Sequence, residues 1–258
     1  MTWGVASFVL LALALGLGFA WYERTQPGSR MLALVGTLAA FAAIGRIAFA
    51  PFPNVKPTTD IVLIAGFALG GAPGFVVGAV AALASNLVFG QGPWTPWQMA
   101  AWGLCGVFGA VLGRLSGHRL GRVQLALACG AAGLMFGAIM DLSVWVTYSG
   151  QRTLDQYLAL SATSLPFNIA HAAGNVVFCL AFGPVLLRAL TRYRSRLEVR
   201  WLDLPAGSAA ALLVVTGVAA LAAVQPEPAR ASDPPTLAPA GRPRGPARAA
   251  PRLAPRRP

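Results

Sequence analysis

Apolar runs of membrane-spanning length alternate with short polar or Gly/Pro-rich breaks along nearly the whole chain. The first run covers residues 3–22, and Arg24 and Arg30 follow it. About 20 apolar residues are needed to cross a bilayer, so this run reads as a span. It lacks the leading positive charge and small-x-small site of a cleaved signal, and is expected to stay as an anchor. A second run covers 31–50 and ends in the Pro-rich loop 51–57. Residues 60–89 form one apolar stretch, broken by Gly70-Gly71-Ala72-Pro73-Gly74. Proline lacks a backbone donor and glycines permit a tight turn, which predicts two short helices held within one bundle. Further runs cover 97–115, 123–148, 164–187 and 206–224. The stretch 149–161 reads as a polar loop. Residues 225–258 are rich in Pro, Ala and Arg without periodicity, and are expected to be disordered. The pattern predicts an all-α membrane bundle of about eight helices.

Composition supports lipid as the solvent. Of 258 residues, 56% are hydrophobic and only 11% charged, against about a quarter charged in soluble domains. Net charge is +12, but the arginines gather between apolar runs and in the tail. That is a topology signal, so no nucleic-acid partner is expected. Counted from an outer N-terminus, the inner segments are 23–30, the glycine turn, 114–122 and 188–205. The outer segments 51–59, 90–96 and 149–163 hold only Lys56 and Arg152. The positive-inside rule is met through residue 205. The seven arginines of the tail lie outside if 206–224 spans, and inside if it does not; spanning is favoured. Localisation follows as a multi-pass protein of the prokaryotic plasma membrane.

Three clusters carry candidate chemistry. The first surrounds the outer loop from Ser85 to Gly103, where Asn86, Gln91, Trp94, Trp97 and Gln98 flank Gly90-Gln91-Gly92-Pro93. An interfacial aromatic belt accounts for one or two tryptophans. It leaves the amides unexplained, and indole faces beside amides suit a flat, polar-edged ligand. The second is Pro51–Thr58, where Asn54 and Lys56 face a ligand or Thr58, Thr59 or Asp60 caps the next helix. Arg46, late in its helix, reads as a snorkelling side chain. The third is a helical stripe: Ser164, Asn168, His171 and Asn175 share one face. Such a stripe faces protein or a water-filled cavity, either as interhelical hydrogen bonds or as a cavity wall. Asp141 and Trp145 are further candidates on the preceding helix. The ligand site is expected between the Gln91–Trp94 loop and Asn168 and His171, with Trp94 and Trp97 over the ligand.

Glycine stripes at Gly103, Gly106 and Gly113, and at Gly130, Gly133 and Gly137, read as internal packing. Cys105, Cys129 and Cys179 match no metal or disulfide spacing and read as small packing residues; no cofactor is expected. No phosphate-binding Gly-rich loop, Gly-x-Ser-x-Gly turn or His-Glu-x-x-His helix appears, so no enzyme is expected. Two other classes stay open: an intramembrane enzyme using His171 with a serine or Asp141, and an interaction protein working through its basic tail.

The six spans within 31–190 include a tight turn between the second and third. With Pro53-Asn54-Val55-Lys56-Pro57-Thr58 and Gly90-Gln91-Gly92-Pro93-Trp94-Thr95-Pro96-Trp97-Gln98-Met99, the chain resembles the substrate-binding S component of energy-coupling factor transporters. That resemblance implies a six-helix substrate-binding core at 31–190. The helices at 3–22 and 206–224 would flank it. It also implies capture of a vitamin or related micronutrient at the extracellular side. Cobalamin is the first candidate; queuosine precursors and riboflavin are others. The implied partners are a transmembrane coupling subunit and a pair of ATPases. Docking would use small residues on the first core helix, where Ala39 and Ala43 match an Ala-x-x-x-Ala pattern and Gly36 and Ala40 match it loosely.

Overall fold

A computed structural model describes residues 3–150 and 152–197. The expected span at 206–224 and the basic tail lie outside the described residues. The elements are α1 (Trp3–Arg24), α2 (Ser29–Ala48), α3 (Thr58–Leu69), α4 (Gly71–Phe89), α5 (Trp94–Leu115), α6 (Arg122–Tyr148) and α7 (Leu154–Leu197), with no strand among the described residues. All but α3 are long and apolar enough to cross a membrane.

The surface carries many large apolar side chains, and the mostly apolar interior also holds buried polar groups, unlike a water-soluble protein. Leu10, Leu17, Leu87, Leu115, Leu127 and Val177 are exposed, whereas Arg46, Thr58, Thr59, Asp60, Ser85, Asn86, His171 and Asn175 are buried. With lipid outside, exposed leucine costs nothing and each polar group must find its partner inside.

The glycine break falls at Gly70 alone, whose φ of 107° lies in the left-handed region. Gly71, Pro73 and Gly74 belong to the first turn of α4, where a missing N–H breaks no helical bond. All of α3 is buried, and it packs against α4, α5 and α7. Glycines let these helices nearly touch. A Cβ at Gly66 would lie 1.8 Å from the Gly106 carbonyl oxygen, and one at Gly74 would lie 2.5 Å from the Gly66 Cα. Three backbones therefore cross at Gly66, Gly74 and Gly106.

Three expectations change here. The stretch 149–161 is not a loop, because α7 already starts at Leu154; Ala, Leu and Gln in 154–161 are good helix formers. Thr58, Thr59 and Asp60 do not cap α3: its N-cap is Pro57, with no side-chain cap bond. Thr58 Oγ1 donates instead to the Ala42 carbonyl of α2, at 3.1 Å. Ala39 and Ala43 are 1% and 5% exposed. They are packing residues inside the bundle and offer no docking face; Gly36 and Ala40 lie on the exposed side of α2.

The 44-residue α7 contains Pro166 and Pro184. Pro184 has no N–H to give the carbonyl four residues earlier, that of Leu180. Arg122 donates to that oxygen from both Nε and Nη2. One surface arginine thus completes the backbone bonding of a helix to which it does not belong.

Segments assigned to one membrane side from charge do meet. Residues 25–31, Gly70–Pro73 and Arg114 line a common cavity of about 650 Å³. At the other end Lys56 lies over Phe89, 5.9 Å from the ring centroid.

Candidate functional site

The most polar part of the interior is built around Arg46, in the last turn of α2. Arg46 is 9% exposed and does not snorkel. Its Nη1 donates to Ser85 Oγ at 2.7 Å and to Asn86 Oδ1 at 2.6 Å, both on α4. A hydroxyl and an amide oxygen on α4 lie within hydrogen-bond reach, and an inward reach to them strands no N–H in lipid. Asn86 is held in turn, donating from Nδ2 to Gln98 Oε1 at 2.8 Å and Thr95 Oγ1 at 3.1 Å. Thr95 donates to Gln91 Oε1 at 2.9 Å, and Gln91 Nε2 donates to the Leu83 carbonyl at 3.1 Å. The loop 90–93 is thereby tied to the helices it joins.

The guanidinium sits between aromatic faces, 4.7 Å from the Phe89 centroid and 5.0 Å from that of Trp102. Lys56 stands on the same Phe89 ring, its Nζ donating to the Phe49 and Phe52 carbonyls. No carboxylate among the described residues pairs with either cation. Arg46 offers five N–H groups; Nη1 donates both bonds to α4, and no Arg46 nitrogen is sealed without a partner. Partial burial and the Arg46 charge both lower the pKa of Lys56 from its ordinary value. Two like charges held together without an acid form a receptor for an anion.

Trp102 links this region to α7. Its Nε1 donates to Thr59 Oγ1 at 3.1 Å, and Thr59 Oγ1 pairs with His171 Nε2 at 2.9 Å. Phe136 is stacked between Trp102 and His171, at 4.4 and 5.4 Å. Asn54 in the loop 49–57 has a left-handed φ of 55°, and Val55 packs beside Gly174 of α7.

A second cluster joins α6 to α7. Asp141 Oδ2 accepts from Ser164 Oγ at 2.7 Å and from Asn168 Nδ2 at 3.0 Å. The α6 glycine stripe makes the room: a Cβ at Gly137 would lie 2.3 Å from Asn168 Oδ1, and one at Gly133 would lie 2.5 Å from Asn175 Nδ2. The glycine stripe and the polar stripe are thus two halves of one interface. His171 hydrogen-bonds Thr59 rather than joining Ser164 and Asp141, so no Ser–His–Asp relay forms among the described residues.

The expected ligand residues fall into separate groups. Asn86, Gln91 and Gln98 share one network, and Lys56 stands beside it. Asp141 and Asn168 pair with each other, and Asn175 donates to the Cys129 carbonyl at 3.5 Å. Trp94 is 39% exposed and its indole covers Gly92. Trp97 turns away from the amides and packs with Leu11 of α1, Ala100 and Met140; on a helix it points about 100° from Gln98. Trp97 is therefore a core residue, and Trp102 supplies the aromatic face instead. Trp102 lies one turn after Gln98, a spacing that shares a face and was available in the sequence. Arg46, Ser85, Thr59, Thr95 and Phe136 join the site only through contacts between helices.

Residues 25–196, two thirds of the chain, match a family of unknown function, DUF6580. The match runs from just before α2 to the end of α7 and leaves α1 outside. No curated protein and no solved structure matches the chain.

Proposed function

The chain belongs to the DUF6580 family, whose function is unknown, and from its own geometry we propose that it is the substrate-capturing membrane subunit of an uptake transporter of the energy-coupling factor type. The observation that carries the capture is the placement of Arg46 and Lys56 on one ring, Phe89, with no carboxylate between them. Such a pair selects a solute with a carboxylate or phosphate, and Phe89 and Trp102 supply faces for its apolar part. The assignment to this transporter class rests on the six-helix unit α2–α7 and on the loop motifs at 53–58 and 90–99. The cargo is then a vitamin or related micronutrient bearing an anionic group. Cobalamin, with its phosphodiester, is one candidate among several. Energy comes from partner subunits: the interior described above holds no phosphate-binding loop.

The test uses protein purified from its native membrane in mild detergent. Small molecules that co-purify are identified by native mass spectrometry, for wild type, Arg46→Gln and Lys56→Gln. An anionic solute should accompany wild type and be lost from Arg46→Gln. A solute retained equally by all three forms, or a neutral one, would overturn the reading.

A further inference from the structure

We propose that Asp60, Cys129 and Cys179 form a binding site for one borderline-to-soft divalent transition-metal ion, of the zinc or cobalt kind. The inference is independent of the transport reading. The three residues come from α3, α6 and α7, and their ligand atoms all lie within 4.8 Å of one another. Each is 0% exposed.

Two further observations point to a ligand. Both carboxylate oxygens of Asp60 are fully buried without a hydrogen-bond partner. An uncompensated carboxyl in an apolar bundle is costly, and buried acids are normally paired or bound to metal. The second is Asn175, one helical turn before Cys179. Its Nδ2 reaches the Cys129 carbonyl at 3.5 Å, and its Oδ1 is buried without a partner. A carboxylate and two thiols thus converge from three helices, with an orphaned amide oxygen on the residue one turn before Cys179.

Donor chemistry selects the ion. Calcium and magnesium take oxygen donors, six or more of them. Thiolates favour zinc and its neighbours, and a mixed set of sulfur and oxygen donors suits tetrahedral coordination. At about 2.3 Å from a shared ion, two thiolates stand about 3.8 Å apart. The ligand atoms of the cluster, all within 4.8 Å of one another, stand near that spacing. Binding displaces the thiol protons to solvent, and the ion then carries the charges of the thiolates and of Asp60.

Cys105 is an internal control. It is equally buried, but its Sγ donates to the Ala132 carbonyl at 3.6 Å and it stands outside the cluster. The protein is purified in detergent through a tag without histidine and stripped with chelator. Cobalt(II) is then titrated, reading the thiolate-to-cobalt charge-transfer absorption, and bound zinc is counted by elemental mass spectrometry. Wild type and Cys105→Ser should bind one ion per chain with the charge-transfer band. Cys129→Ser and Cys179→Ser should lose the band, and Asp60→Asn should weaken binding. A wild type that shows no band overturns the proposal, whatever the variants do. So does a band that survives in both Cys129→Ser and Cys179→Ser, or one that Cys105→Ser abolishes. Should a variant fail to fold, the wild type still decides through a second reading: zinc must raise its thermal midpoint, and no rise counts against the site.

Discussion

Keeping a guanidinium inside an apolar bundle costs several kcal/mol unless its donors are met, and Arg46 meets two of them with Ser85 and Asn86. A lysine at 46 keeps the charge but loses the planar fork. Arg46→Lys is expected to weaken binding of the anionic solute about 10- to 100-fold, the loss of one charge-assisted hydrogen bond, as read by calorimetry on purified protein. Lys56 gives the pH dependence. Its pKa is lowered by burial and by the Arg46 charge, so it sheds its proton below the ordinary lysine value. Affinity for an anion should therefore fall as pH rises through that lowered pKa. Lys56→Arg, whose side chain stays charged, should shift the fall to higher pH; an unchanged profile would remove Lys56 from the site. The amides around the 90–93 loop were legible in the sequence because nothing in an aromatic belt requires them. Arg46 was not, since an arginine near a helix end reads as snorkelling until its neighbours on α4 are seen. The donors at Asp60, Cys129 and Cys179 were hidden for a related reason: metal-ligand spacing is a local pattern, and these come from three helices.

Between elements, the closest interfaces are made by glycine. At Gly66 an added methyl meets backbone rather than a movable side chain. Gly66→Ala should therefore cost more than the about 1–3 kcal/mol typical of overpacking, and the expected result is loss of the monodisperse species in detergent. Gly137→Ala meets the Asn168 amide instead, which can swing away. It should lower the thermal midpoint moderately and break the Asn168–Asp141 bond. A double-mutant cycle checks the α7 repair. Arg122→Ala should destabilise by about 1 kcal/mol through the Leu180 carbonyl. In a Pro184→Ala background, where the helix supplies its own N–H, that cost should largely vanish. Element existence was readable from apolar runs and glycine breaks. The start of α7 was not, because 149–161 is polar enough to look like a loop, although 154–161 is helical. The partnership of the glycine stripe with the polar stripe was also invisible, since each was read on its own helix.

At the scale of the molecule, the exposed small residues Gly36 and Ala40 give α2 a close-approach surface for the docking expected from the sequence. Gly36→Trp or Ala40→Trp should leave folding and solute binding intact while stopping uptake by whole cells. Normal uptake in both would place the partner elsewhere. Ala39→Trp, by contrast, should fail to fold, because Ala39 is 1% exposed. The wholly buried α3 has a consequence for how the chain enters the membrane. Its 12 residues reach about 18 Å at 1.5 Å per residue, against about 30 Å of hydrocarbon. Asp60 at its start adds a further penalty on partitioning. On its own, α3 has too little apolar length to leave the translocon for lipid. It is expected to wait and be released with α4 as a hairpin, folded onto α2. Placed alone between the soluble flanks of a reporter protein, residues 58–69 should be extracted by alkaline carbonate, whereas residues 58–93 should be integrated; integration of α3 alone would overturn this.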